Sequence, residues 1–149
     1  MKTQQQSTEK MPPLWELCGD GELEQVRAEL ARGADVNDKH SDGSTALMFA
    51  LLRGHNLIVK LLLEQPRLET NEKNRYGLTA LHFAVGGNNP EGARMLLLHP
   101  GFNSANSTAN YGDTALMVAV SRRNKEVLLE LVKHESVNLD LSEEAFDGR

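Results

Sequence analysis

"DGSTALMFAL" (Asp42–Leu51), "YGLTALHFAV" (Tyr76–Val85) and "YGDTALMVAV" (Tyr111–Val120) are one phrase written three times. Their glycines, Gly43, Gly77 and Gly112, are separated by 34 and then 35 residues. After each phrase comes a second apolar segment: "LIVKLLLEQ" (57–65), "GARMLLLHP" (92–100) and "EVLLELVKHE" (126–135). Each unit therefore reads as turn, helix, link, helix, loop. A unit this short cannot bury both of its helices alone, so the units must stack. The expected fold class is all-α: a solenoid of helix-turn-helix units joined by β-hairpin-like loops.

The chemistry within one unit explains the phrase. Gly43, Gly77 and Gly112 supply the backbone angles of a tight turn. Thr45, Thr79 and Thr114 stand where a helix N-cap belongs, just before an apolar-periodic run. Ala46, Ala80 and Ala115 are small at the first helical position and let helices approach closely. Leu47, Leu81 and Leu116 open the buried stripe, and Ala50, Ala84 and Ala119 continue it three residues on.

Bulk properties narrow the function. The 149 residues are 40% apolar and 25% charged, which fits a globular or repeat protein and not a disordered chain. A formal charge of −5 works against general attraction to nucleic acid or anionic membrane, so neither is expected as a partner. The longest strictly apolar run, "ALMFALL", is far short of the roughly 20 residues of a membrane span. "MKTQQQSTEK" has no apolar core, so no signal peptide is expected there. With Cys18 the one cysteine, no internal disulfide can form, and the expected setting is cytoplasmic, or nuclear. A monomer is expected.

The pattern resembles the ankyrin repeat, with units of about 33 residues and a T-P-L-H-x-A signature. "GDGELEQVRAELARGADVNDKHSDGSTAL" (19–47) carries the family's G-x-x-x-x-V-x-x-L-L-x-x-G-A-D-V-N nearly intact, and the likeness runs from about Pro13 to Asn138. Departures are visible. All three signatures read T-A-L, and only the third unit keeps the signature histidine, His82, where Met48 and Met117 stand in the others. The third unit also has "GGNNPEG" (86–92), from which a shorter first helix and a more mobile link are expected. "PPLWELCGDG" (12–21) reads as a capping first helix built on Trp15, Leu17 and Cys18. The expected boundaries are a disordered tail at 1–11, then units at about 12–41, 42–75, 76–110 and 111–141. At 142–149 an acidic tail or the start of a truncated fifth unit is expected, since "FDGR" puts Gly148 a further 36 residues beyond Gly112.

Nothing in the chain reads as catalytic machinery. There is no G-x-S-x-G, and Cys18 reads as a small buried side chain. "GGNNPEG" lacks the G-K-[ST] ending of a phosphate cradle and follows no strand. His40, His55, His82, His99 and His134 fall in unrelated registers with no metal-binding spacing, and His55 occupies a link where the family places histidine for packing and hydrogen bonding. "DVNDKHSDG" fails the calcium-loop pattern, with Lys39 and His40 at ligand positions. No cofactor, metal or enzymatic activity is therefore expected. Asn106 opens a formal "NST" acceptor that is expected to stay unmodified. The resemblance also matches Asn37, Asn71 and Asn106 to positions that asparaginyl hydroxylases modify in some ankyrin proteins, although bridging the turn backbone is their more ordinary role.

What remains is surface. The resemblance implies a non-catalytic protein-binding module, an adaptor, scaffold or inhibitor, that grips its partner with hairpin tips and the exposed side of the first helices. Carried over position by position, the tips are Lys39, Ser41, Asp42 and Ser44, then Lys73, Arg75, Tyr76 and Leu78, then Thr108, Asn110, Tyr111 and Asp113. The first-helix ends add Leu52 and Arg53, Gly86 and Gly87, Ser121 and Arg122. Tyr76 and Tyr111 share one repeat position and should project side by side, and Tyr and Arg are common interface anchors. The mixed charge, with Arg53, Arg75 and Arg122 against Asp42 and Asp113, suggests an acidic or mixed peptide. The alternative implied is a targeting or regulatory module of a larger enzyme or channel.

Overall fold

The computed structural model describes residues 11–141. Except for Met11, the expected tail at 1–11 and the expected segment at 142–149 lie outside the described residues. Among the described residues eight helices follow one another: α1 (Leu14–Asp20), α2 (Leu23–Ala31), α3 (Ala46–Arg53), α4 (Asn56–Leu63), α5 (Ala80–Gly86), α6 (Pro90–Leu98), α7 (Ala115–Arg122) and α8 (Lys125–Lys133). They form four pairs. First helices pack in the row α1–α3–α5–α7, and second helices in the row α2–α4–α6–α8. Among the described residues no helix is long and apolar enough to cross a membrane.

The core runs along the stack between the two rows. Leu17, Leu47, Leu51, Ile58, Leu62, Leu81, Leu96 and Leu131 are fully buried, each worth about 1.5–3 kcal/mol of removed apolar surface. The threonines cap as expected: Thr45, Thr79 and Thr114 accept from the N–H of Met48, His82 and Met117 at 3.3, 3.4 and 3.2 Å. Cys18 is buried in α1, and desolvation, with the Asp38 charge adding to it, pushes its thiol up to about 12. It is packing, not a nucleophile.

Three sets of hydrogen bonds tie each unit to the next. The first runs along the loops. Asn37 donates to Arg67 O and accepts from Glu69 N, Asn71 repeats this with Gly101 O and Asn103 N, and Asn106 with Ser136 O and Asn138 N. The second set runs through the links. His55 donates to Gly19 O (3.1 Å), Asn89 to Leu51 O (3.0 Å) and Asn124 to Val85 O (2.9 Å). These residues all precede a second helix, and each donates to a carbonyl near the end of the previous first helix; the Leu51 and Val85 carbonyls also accept a local bond there, from Gly54 N and Asn88 N.

The third set joins the hairpin tips. Within a tip, the N–H of His40, Asn74 or Ala109 donates to the carbonyl of Ser44, Leu78 or Asp113. Between tips, Arg75 N donates to Asp42 O (2.8 Å) and Asn110 N to Tyr76 O (2.9 Å). The turn glycines answer two demands at once. Their φ is positive, and a Cβ on Gly77 would come within 2.6–2.9 Å of Asn110.

The "GGNNPEG" expectation is half met. Helix α5 is seven residues long against eight for α3 and α7, so the first helix is indeed shorter. The link itself is tied down and not loose. Buried Asn89 bonds Leu51 O, exchanges two bonds with the Asn56 side chain at 2.8 and 3.1 Å, and accepts from Gly92 N. A Cβ on Gly87 would run into the carbonyls of Leu51 and Leu52. Here glycine marks close packing between units.

His82 is the one histidine at the signature position, and it is buried like Met48. Its Nδ1 accepts from Thr79 N (3.1 Å), which leaves Nε2–H to donate to Asp113 O of the next unit (2.9 Å). The Met48 sulfur accepts from Thr45 N at 3.3 Å within its own unit, so the between-unit bond of the signature histidine is present at His82. Desolvation holds the His82 pKa below the ordinary histidine range, with Lys73 reinforcing and the Asp113 carbonyl opposing it.

The left-handed residue that ends each first helix differs from unit to unit: Gly21 (φ 81°), Gly54 (77°), Asn88 (48°) and Arg123 (58°). Replacing Arg123 with Gly should raise stability by about 1 kcal/mol, measured by thermal or urea unfolding, since only Arg strains there. Replacing Gly87 with Ala should lower it by about 1–3 kcal/mol in the same assay. Folded His82 binds protons less readily than the unfolded chain. Its contribution is therefore present above an unfolded pKa of about 6.5 and is lost as pH falls below it. His82→Gln should lose less stability than wild type between neutral and mildly acidic pH, read as the difference between the two melting curves across pH.

Candidate protein-binding surface

The stitching of the tips decides what is left to meet a partner. Arg75 N and Asn110 N are consumed by the preceding tip, and Asn110 Nδ2 donates to Arg75 O at 2.9 Å. The side chains at the same positions are thereby set out at regular intervals along one edge. Tyr76 is 49% exposed and Tyr111 is 93% exposed, so the hairpin does not bury either ring. Ser41, Lys73, Arg75, Asn110 and Asp113 are exposed beside them. Lys73 Nζ reaches Thr108 O at 3.4 Å, and Lys39 pairs with Glu72 at 2.8 Å, so part of the basic charge is already spent.

Ser44 is a correction. It is 1% exposed, and its hydroxyl accepts from Asn74 Nδ2 at 3.0 Å. Asn74 in turn accepts from Tyr76 N and Leu78 N, both at 3.0 Å, and so organises the next tip. Ser44 is a joint between tips and cannot face a partner. Asp42 is half-buried. Partial desolvation works the other way, but the Ser44 N–H and hydroxyl and the His40 ring hold its carboxyl below the usual carboxylate range.

The first helices supply the floor. Arg53, Ser121 and Arg122 are exposed at their ends, and Leu52 and Leu78 are half-buried. Sequence reasoning passed over Phe49, Phe83 and Val118, which occupy one repeat position and are also half-buried. The available signal was their place four residues after each capping threonine, off the fully buried stripe. Phe49 and Phe83 lie 6.4 Å apart between centroids, and Trp15 continues the row 5.3 Å from Phe49. Leu52, Leu78, His82, Phe83, Gly86, Val118 and Arg122 enclose a shallow cleft of about 180 Å³ on this floor.

No group of His, Cys, Asp and Glu that could hold a metal occurs among the described residues. Asn37, Asn71 and Asn106 do bridge turn backbone, as the loop bonds above record. The surface offers aromatic and guanidinium groups beside an apolar floor, the materials of protein recognition.

Comparison with known proteins agrees with this architecture. A family description of ankyrin repeats in three copies matches residues 14–109 and 68–142. The chain is similar to mouse Rabankyrin-5, at 29% identity over 94 residues, 63% of this chain and 8% of that protein. It is similar to the rice protein named probable E3 ubiquitin-protein ligase XBOS33, at 41% identity over 73 residues, 49% of this chain and 14% of that protein. Inversin-B of Xenopus laevis matches at 40% over 60 residues, 40% of this chain and 6% of that protein. The chain thus spans 14% or less of the length of these relatives. By the match over nearly all of its described length, the chain belongs to the ankyrin repeat family.

Proposed function

We propose that the chain is a non-catalytic protein-binding module, an adaptor, scaffold or inhibitor, that grips its partner in the concave groove between hairpin tips and first helices. Ankyrin repeats generally mediate protein–protein interaction. The observation that carries the reading is the edge formed by Tyr76 and Tyr111. Two tyrosines at one repeat position stand out from backbone already satisfied by its neighbours, beside a half-buried floor of Phe49, Phe83 and Val118. Such rings offer large contact area at little entropic cost. The partner-binding residues are Ser41, Asp42, Leu52, Arg53, Lys73, Arg75, Tyr76, Leu78, Asn110, Tyr111, Asp113, Ser121 and Arg122. The reading takes the chain as a monomer acting in the cytoplasm or nucleus on a protein partner.

A second reading, the targeting or regulatory module of a larger enzyme or channel, is favoured by the small share of each relative that the chain spans. Both readings use the same groove. Affinity capture with the tagged chain, wild type beside Tyr76→Ala/Tyr111→Ala, tests it by quantitative mass spectrometry. The double variant should melt like wild type and recover the specific partners at least about tenfold less efficiently. Equal recovery would remove the groove.

A further inference from the structure

The floor of the groove is not uniform. At the repeat position of Leu52 the third unit has Gly86, and the fourth has Ser121. A Cβ on Gly86 would meet only Leu52 Cδ1, at an ordinary 3.6 Å, so the glycine leaves space that the backbone does not need. That space is the cleft of about 180 Å³ enclosed by Leu52, Leu78, Phe83 and Val118. It contrasts with Gly87 next to it, where the missing side chain is required by close packing. A Cβ would therefore fit at Gly86, where glycine costs α5 helix stability.

Arginine supplies the charge that lines the cleft. One residue further on, the repeat position holds Arg53, Gly87 and Arg122; Arg122 lines the cleft, and Arg53 directly follows the lining Leu52. Both arginines are exposed, and Arg122 reaches back to Gly86 O at 3.3 Å, which holds its guanidinium at the mouth. Of the acids on the hairpin tips, Asp42 is already engaged by Ser44 and His40, and Asp113 stands beside His82 of the cleft, whose ring donates to its backbone carbonyl. A basic lip stands out on a chain of net charge −5.

We propose that the Gly86 cleft is an anchor pocket that seats one bulky aliphatic side chain of a partner peptide, with acidic residues next to that anchor pairing with Arg53 and Arg122. The proposal rests on the groove reading and specifies its occupant. The cleft's lining is mainly apolar, with His82 and Arg122 as its polar members, so it rewards burial of hydrocarbon, and its open mouth leaves a peptide within reach of Arg122. An anchor of this kind sets specificity through shape at one position and charge at its neighbours.

A phage-displayed library of random dodecapeptides, selected on the wild-type chain, is the probe. Enriched sequences should share Leu, Ile or Met with Asp or Glu within two positions. The best synthetic peptide should then be titrated by fluorescence polarisation against variants. Gly86→Leu fills the cleft on a helix that tolerates it, so it should melt at or above the wild-type temperature yet bind at least about tenfold more weakly. Arg53→Glu/Arg122→Glu should weaken binding comparably, and selection on that variant should replace acidic residues by Lys or Arg. If the peptide binds Gly86→Leu as tightly as wild type but is lost with Tyr76→Ala/Tyr111→Ala, the pocket is wrong and the groove stands. Enriched peptides without an acidic neighbour would overturn the assigned occupant. Failure to enrich any peptide would overturn the pocket and the groove together.

Discussion

A pair of short antiparallel helices has two faces to bury and can cover only one of them with its own residues. That deficit governs this chain. Every unit must be closed by its neighbours, so the core is a continuous seam and not a set of separate centres. Val85 and Leu97 are buried on helices α5 and α6, against which α7 and α8 pack. Closure by neighbours also explains why polar side chains recur at fixed positions. Backbone groups left over at helix ends and in loops find their partners one unit away.

The candidate surface is a by-product of that arrangement. Stitching tip to tip and helix to helix satisfies the backbone and spaces the remaining side chains regularly. Tyr76 and Tyr111 stand apart by one unit because the bonds from Arg75 to Asp42 and from Asn110 to Tyr76 hold successive tips at that interval. Variation can then accumulate on the edge and floor without disturbing the seam. Gly86, Leu52 and Ser121 differ at one floor position, whereas Leu47, Leu81 and Leu116 do not differ at theirs.

Much of this was legible in the sequence because it depends on local pattern. Capping threonines, turn glycines, the buried leucine stripe, the bonding of His55 and the bridging asparagines all follow from repeat position. What escaped depends on the neighbouring unit. "GGNNPEG" looks loose as a string, but Asn89 reaches a carbonyl 38 residues earlier, and Gly87 makes room for that same turn of helix. Ser44 looks like a polar tip residue, yet Asn74 of the next unit covers it. Phe49, Phe83 and Val118 look like ordinary helix content until the stack shows which side of the first helices stays open. Pattern within a unit predicted the elements, and contact across units decided exposure.

Equivalent positions are more exposed in the last described unit than in the one before it. Val120 and Val132 occupy the positions of Val85 and Leu97 but are each 42% exposed, so α7 and α8 are supported from one side only among the described residues. In a one-dimensional stack, the unit with one neighbour is the cheapest to open. Val118 and Arg122 belong to that unit, and they form one wall of the Gly86 cleft. The cleft thus joins a floor packed on both sides to a wall packed on one side among the described residues. Whatever occupies the cleft touches Phe83 of α5 and Val118 of α7 together, so it adds a bridge between two successive first helices at the point where α7 has one described neighbour.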